Sequence, residues 1–183
     1  SLIEHFLYPI EKVMNKSQLL NELDLISLDF DYLITFSSTK RDKGDKALIN
    51  LFKESDHLKL IVIGNSNNIV KSVNIIFINK HLTSLVFNSI LSFSKGVILN
   101  YDKITTSGMF FHCVSINKLT IVPNLDFFRE TSNSKMSIFF DTNSFFENDI
   151  KLITENVLNF KFINDRNFES VISFTNKIIK LNN

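Results

Sequence analysis

The feature that most restricts this chain is an alternation along its length. Short runs of β-branched and aromatic residues are separated by longer stretches whose apolar residues recur at helical spacing. A buried parallel strand reads as a continuous apolar run, and two parallel strands need a helical crossover between them. The runs Tyr32 to Phe36, Leu58 to Ile63, Asn74 to Ile78, Gly96 to Leu99, Leu119 to Val122 and Lys135 to Phe140 predict strands. The intervals predict helices. Lys46 to Lys53 carries Ala47, Leu48, Leu51 and Phe52 on one face, and Leu82 to Phe93 carries Leu82, Leu85, Val86, Ile90 and Leu91. Ser107 to Asn117 presents Met109, Phe110, Cys113, Val114 and Ile116, and Phe145 to Leu158 is a fourth helix. Ser17 to Leu23 predicts a short helix N-capped by Asn15 or Ser17. The expected fold class is therefore α/β: a doubly wound, Rossmann-like, mostly parallel sheet of about six strands with flanking helices.

At 183 residues the chain is long enough to bury roughly 70% of its unfolded surface without staples. Its 20 Lys and Arg offset 19 Asp and Glu, so no net charge draws it to nucleic acid or to an anionic membrane. One cysteine forms no internal disulfide, and the longest apolar runs are strand-length, short of a membrane span. A cytoplasmic setting is expected. The chain opens Ser1-Leu2-Ile3-Glu4, as a piece of something longer would. The expected organisation is a lead-in linker over residues 1–30, a Rossmann-like domain over 31–163, and a terminal helix over 164–183. That helix, Asn164 to Lys180, carries Phe168, Val171, Ile172, Phe174 and Ile178, which need a docking surface on this domain or a missing one.

Ligands of open parallel sheets bind outside the carboxyl ends of the strands, where helix N-termini aim free N–H groups into the crevice. Two turns suit this. In Phe36-Ser37-Ser38-Thr39-Lys40-Arg41-Asp42-Lys43-Gly44, small residues leave the strand and cations precede a glycine. Lys43 with Lys40 or Arg41 can reach a phosphate there, and a solvated basic loop would look the same. In Asn100-Tyr101-Asp102-Lys103-Ile104-Thr105-Thr106-Ser107-Gly108-Met109, Thr106 or Ser107 can cap a helix while Gly108 leaves backbone N–H groups approachable. A plain N-cap and an anion site use the same atoms.

Together the two turns resemble the carboxyl-terminal, nucleotide-sugar-binding half of a GT-B glycosyltransferase of the group 1 type. The first turn is similar to that family's strand, small residue, basic residue and Lys-Gly pattern. Leu60-Ile61-Val62-Ile63-Gly64, Gly96 to Tyr101, Thr106-Ser107-Gly108, Asn117 to Pro123 and Glu130 then follow in the family's order, over roughly Tyr8 to Leu158. The resemblance implies transfer of a sugar from a nucleoside diphosphate sugar to a hydroxyl acceptor, in synthesis of a cell-surface polysaccharide or glycolipid. It implies Lys40 and Lys43 as the catalytic cations on the diphosphate, and Ser37, Ser38, Asn65, Tyr101, Thr106, Ser107, Gly108, Met109, His112 and Glu130 as donor-binding residues. Asn65 or Ser66 and the region of Ile78 and Asn79 would lie near the nucleobase. Many members carry two glutamates eight positions apart around the Thr-Ser-Gly turn; Ile104 and His112 stand there in this chain. No metal or cofactor is implied beyond the nucleotide sugar. The implied partner is a missing amino-terminal acceptor domain, without which this half would be inactive and through which any attachment to the inner membrane face would run.

The remaining candidates are weaker. The histidines His5, His57, His81 and His112 form no metal-type pair, and Cys113 beside His112 points about 100° away on a helix, to an apolar face. His112 reads as a helix-surface or capping residue or as a donor-site residue, and Glu130 as a helix cap or a hydroxyl binder. A hydrolase would need carboxylates gathered at one strand edge, where only Asp102 is placed. The reading from a different class is a non-catalytic Rossmann-like binding or scaffold module that turns its Phe-rich faces, drawn from 19 Phe, to a partner.

Overall fold

The computed structural model describes residues 13–37, 45–53, 55, 58–65, 69–132 and 136–140. Within them the alternation becomes α1 (Lys16–Leu23), β1 (Tyr32–Phe36), α2 (Asp45–Lys53), β2 (Lys59–Ile63), β3 (Ile75–Ile78), α3 (Ser84–Phe93), β4 (Gly96–Ile98), α4 (Gly108–Ser115), β5 (Thr120–Pro123), α5 (Asp126–Thr131) and β6 (Ser137–Phe140). The six strands form one sheet in the order β3-β2-β1-β4-β5-β6, every neighbouring pair parallel. This is the doubly wound Rossmann-like arrangement expected, and its strand order reverses between β1 and β4.

Side-chain alternation divides the sheet into two buried faces. On one, Leu33, Leu60, Val62 and Ile75 pack against Leu48, Ile49 and Phe52 of α2. On the other, Ile34, Ile61, Val97 and Val122 meet Leu19 and Leu23 of α1, Val86 and Ile90 of α3, Phe110 of α4 and Phe128 of α5. Right-handed crossovers require this division, because the chain winds outward from β1 toward β3 and then from β4 toward β6. The lead-in segment 1–30 contributes α1 to the second face. Asn15 closes a capping box with Gln18, the Met14 N–H donates to Ser89 Oγ at 2.9 Å, and Leu19 is fully buried.

Strand ends differ by a residue or two from the expected ones. Pro123 joins β5 as its last residue, where it has no N–H to give and the ladder continues with Asn124 N–H donating to Phe140 O at 2.8 Å. The six-residue α5 was not among the expected helices. Its N-cap is Leu125, with no side-chain cap bond, and Glu130 stands exposed one residue before the helix ends, so Glu130 does not cap. Helices expected at Phe145 to Leu158 and Asn164 to Lys180, and the boundary between 163 and 164, lie outside the described residues. No helix among the described residues is long and apolar enough to cross a membrane.

Candidate functional site

The reversal of strand order places one crevice outside the carboxyl ends of β1 and β4, and the two turns singled out in the sequence leave from those strands. On the β1 side the described chain reaches Ser37. Its N–H donates to Ile63 O at 2.9 Å and its Oγ to the carbonyl of Asn65 at 3.2 Å, so the exits of β1 and β2 are tied together. Gly64, between them, has φ +108°, and its N–H donates to Ile78 O at 3.0 Å, which ties in β3. Asn65 and Asn79 are exposed at this edge. Ser38, Lys40 and Lys43 lie outside the described residues.

On the β4 side the cap is resolved in favour of Ser107. Its extended backbone (φ −140°, ψ 104°) turns the chain into α4, and its Oγ accepts from Phe110 N–H at 3.1 Å. Phe111 N–H donates to Ser107 O at 3.2 Å. Because the cap takes the third N–H of the helix, those of Gly108 and Met109 remain without an intrahelical acceptor at the positive end of the helix dipole. Gly108 and Thr106 are exposed, and Met109 is half-buried against the core. Tyr101 lies over this turn, its hydroxyl 3.3 Å from Ser107 Oγ and its ring stacked on Phe128 with centroids 6.2 Å apart and planes 20° apart. Phe110, Phe111, Phe127 and Phe128 meet edge to face behind it, which anchors α4 on α5.

His112 is not on the helix surface. It is 8% exposed and lies between α4 and α3, with Nε2 2.8 Å from Asn88 Oδ1 and its ring beside Phe87, which in turn contacts Phe36 at the end of β1. An acceptor oxygen at that distance requires the proton on Nε2, and burial holds the ring's pKa below its ordinary value. The side chain of a helical residue leans toward the N-terminus, so residue 112 covers the turn that begins α4. Phe36, Phe87, Asn88 and His112 thus form one linked corner between the end of β1, α3 and α4. Glu130 contacts none of these residues through any hydrogen bond or ion pair among the described residues.

Cys113 is fully buried, and burial pushes its thiol up to about 12, which leaves it protonated and unreactive at neutral pH. Two residues were not singled out from sequence. Asn88 has a weak signal, being an amide in the otherwise apolar and hydroxyl-bearing run Ser84 to Phe93. Lys118 has none, falling between the expected helix Ser107 to Asn117 and the expected strand Leu119 to Val122. It is 6% exposed, its ammonium donating to Ser92 O at 3.0 Å and Ser94 O at 2.7 Å. Among the described residues no three His, Cys, Asp or Glu side chains gather as a metal site would require.

No protein-family model matches the chain, and no curated protein matches it. Solved structures do. The spinosyn forosaminyltransferase SpnP superposes with a TM-score of 0.56 at 10% identity, over 97% of this chain and 44% of that one. A trehalose-6-phosphate protein from E. coli bound with UDP-2-fluoro glucose superposes with a TM-score of 0.59 at 9% identity, over 98% of this chain and 45% of that one. The chain spans less than half the length of either. At such identities the likeness is one of fold. It agrees with the all-parallel sheet and its point of reversal, and the chain accordingly has a Rossmann-like α/β fold similar to the GT-B fold.

Proposed function

We propose that this domain is the donor-binding half of a glycosyltransferase, holding the diphosphate of a nucleotide sugar at the carboxyl edge of its sheet for transfer of the sugar to a hydroxyl acceptor. The observation that carries the reading is the start of α4. There the Ser107 cap leaves two N–H groups open beside the β1/β4 crevice, in a fold shared with a protein bound to UDP-2-fluoro glucose. Lys40 and Lys43, from the turn after β1, supply the positive charge. As the sugar departs, negative charge builds on the diphosphate, and two ammonium groups with the N–H groups of Gly108 and Met109 stabilise it. Tyr101 holds Ser107 in its capping position, and Thr106, His112 and Glu130 are the remaining candidates for contact with the donor. The acceptor, of the polysaccharide or glycolipid class, would be bound by a separate amino-terminal domain, so this half binds donor and does not by itself transfer sugar.

Calorimetry of the 183-residue chain with UDP and GDP tests the reading. The expected result is weak, saturable binding of at least one, lost in Lys43→Ala; in the complete enzyme that substitution should lower turnover on the order of a hundredfold. Absence of binding at roughly millimolar ligand, the upper limit for a useful isolated half-site, would remove the donor site and leave the scaffold reading.

A further inference from the structure

The exits of β1 and β2 are interlocked through their backbones more tightly than a side chain would allow. A Cβ built on Gly64 would stand 2.4 Å from the carbonyl oxygen of Ser37, a separation that real Cβ atoms do not show. The backbone of Gly64 is also at φ +108°, a conformation L side chains rarely adopt. The contact is closed on both sides. Ser37 N–H donates to Ile63 O, the residue before Gly64; Ser37 Oγ donates to the Asn65 carbonyl, the residue after it; and Gly64 N–H donates to Ile78 O. A glycine in a strand exit with backbone pressed against it marks a place where close approach is the purpose.

We infer that Ser37, Gly64 and Asn65 form a clasp that fixes the direction in which the chain leaves β1, and that Ser37 and Asn65 serve the site as positioning residues through this clasp. The Ser37 hydroxyl gives its proton to a backbone carbonyl, and Asn65 takes part through its main chain, so neither role needs the ligand. The clasp stands at the carboxyl ends of β1 and β2, at the edge proposed for the diphosphate, and Ser37 is the residue through which β1 enters it. This use of the clasp rests on the proposed diphosphate site; its existence as a backbone lock does not.

The test compares four forms of the 183-residue chain: wild type, Gly64→Ala, Ser37→Ala and Ile121→Val. The last is a core control in β5, fully buried and away from the clasp. Seating a Cβ at residue 64 requires the Ser37 carbonyl to retreat by a large part of an ångström. Gly64→Ala should therefore weaken UDP binding by roughly tenfold or more, since misplacements of that size are costly to an ordered site. Ser37→Ala removes the hydrogen bond to the Asn65 carbonyl and should weaken binding by about threefold. Ile121→Val should lose stability and bind as wild type. Amide hydrogen exchange is read in parallel. In Gly64→Ala the amides of residues 37 and 64 should exchange faster while those of β5 are unchanged, and in Ser37→Ala the amide of residue 37 alone should do so. Should Gly64→Ala fail to fold, Ser37→Ala carries both readouts. Wild-type binding with unaltered binding in the clasp variants overturns the positioning role. Unaltered exchange at residues 37 and 64 overturns the clasp itself. If wild type binds neither UDP nor GDP, the donor-site reading fails and exchange alone decides the clasp.

Discussion

Replacing Lys118 by Met should change how the stability of this domain depends on pH. Lys118 follows α4 and points its ammonium at the carbonyls of Ser92 and Ser94, at the end of α3, and only 6% of it is exposed. Burial pulls its pKa from 10.5 down to about 8, with Lys95 adding to the effect and Cys113 opposing it. That drop amounts to about 3 kcal/mol of lost preference for the charged form. The unfolded chain keeps this proton up to about pH 10.5, whereas the folded chain releases it near pH 8. The unfolded state thus binds more protons in that window, and stability must rise with pH. Between about pH 7 and about pH 9.5 the gain is about 2 kcal/mol, from the linkage relation. Cys113 acts in the opposite sense above its ordinary pKa of 9, because burial raises it, but it is present in both proteins and largely cancels in their difference. In Lys118→Met the buried charge is gone and two carbonyls lose their donor, each at about 1–3 kcal/mol, so the two effects oppose each other near pH 7 while the slope changes clearly. Urea unfolding of both proteins at several pH values reads the difference. A wild-type minus variant difference that stays flat from about pH 7 to about pH 9.5 would refute the claim that a buried ammonium holds the end of α3.

Two further outcomes separate structure from function at α4. Ser107→Asp keeps a side-chain oxygen for the Phe110 N–H and adds a negative charge favourable to the helix dipole, so thermal stability should hold or rise. The same charge occupies the proposed diphosphate position, so UDP affinity should fall by roughly tenfold or more, and unchanged affinity would place the ligand elsewhere. Asn88→Ala removes the acceptor of the His112 Nε2–H and should cost about 1 kcal/mol in denaturant unfolding. In wild type the His112 ring should titrate below 6.5 by NMR, and the domain should lose stability as pH falls through that value, because the unfolded chain takes up the proton first.

The strands were legible because a buried parallel strand has little choice of residue. Leu60-Ile61-Val62-Ile63 and Tyr32-Leu33-Ile34 must be apolar on both faces, and a continuous apolar run of that length admits few other interpretations. Their order was legible only as a class, since nothing in β6 says that it pairs with β5. The α4 cap was legible to within one residue, and geometry chose Ser107, whose Oγ reaches the third N–H, while Thr106 stays exposed. His112 was harder to read. Helical periodicity places it only by phase, and its burial depends on Asn88, a residue 24 positions earlier that folding brings across from α3. Lys118 gave no signal, because a lysine after a helix is ordinarily solvated. Its burial follows from Asn117 at φ +53°, which ends α4 by sending Lys118 N–H back to Cys113 O at 2.8 Å and Asn117 N–H to Val114 O at 3.0 Å, and so turns Lys118 inward.

A donor site and a scaffold on this fold would differ only at particular atoms. Most of what surrounds the crevice would be needed by either: the Ser107 cap, the Phe110 and Phe128 contacts, the His112 to Asn88 bond and the apolar cluster on this face all hold α3, α4 and α5 to the sheet. Two features add nothing to that packing. Gly108, exposed at the first position of α4, has no side chain to cover the N–H groups that begin the helix. Gly64 holds a positive φ and a backbone contact that any other residue would break, and the result is a fixed exit from β1, which core packing does not require. Both glycines lie at the carboxyl edge of the sheet, one on each arm of the crevice. Substitution at position 108, which carries no such backbone contact, is therefore where loss of ligand binding and loss of stability should part most widely.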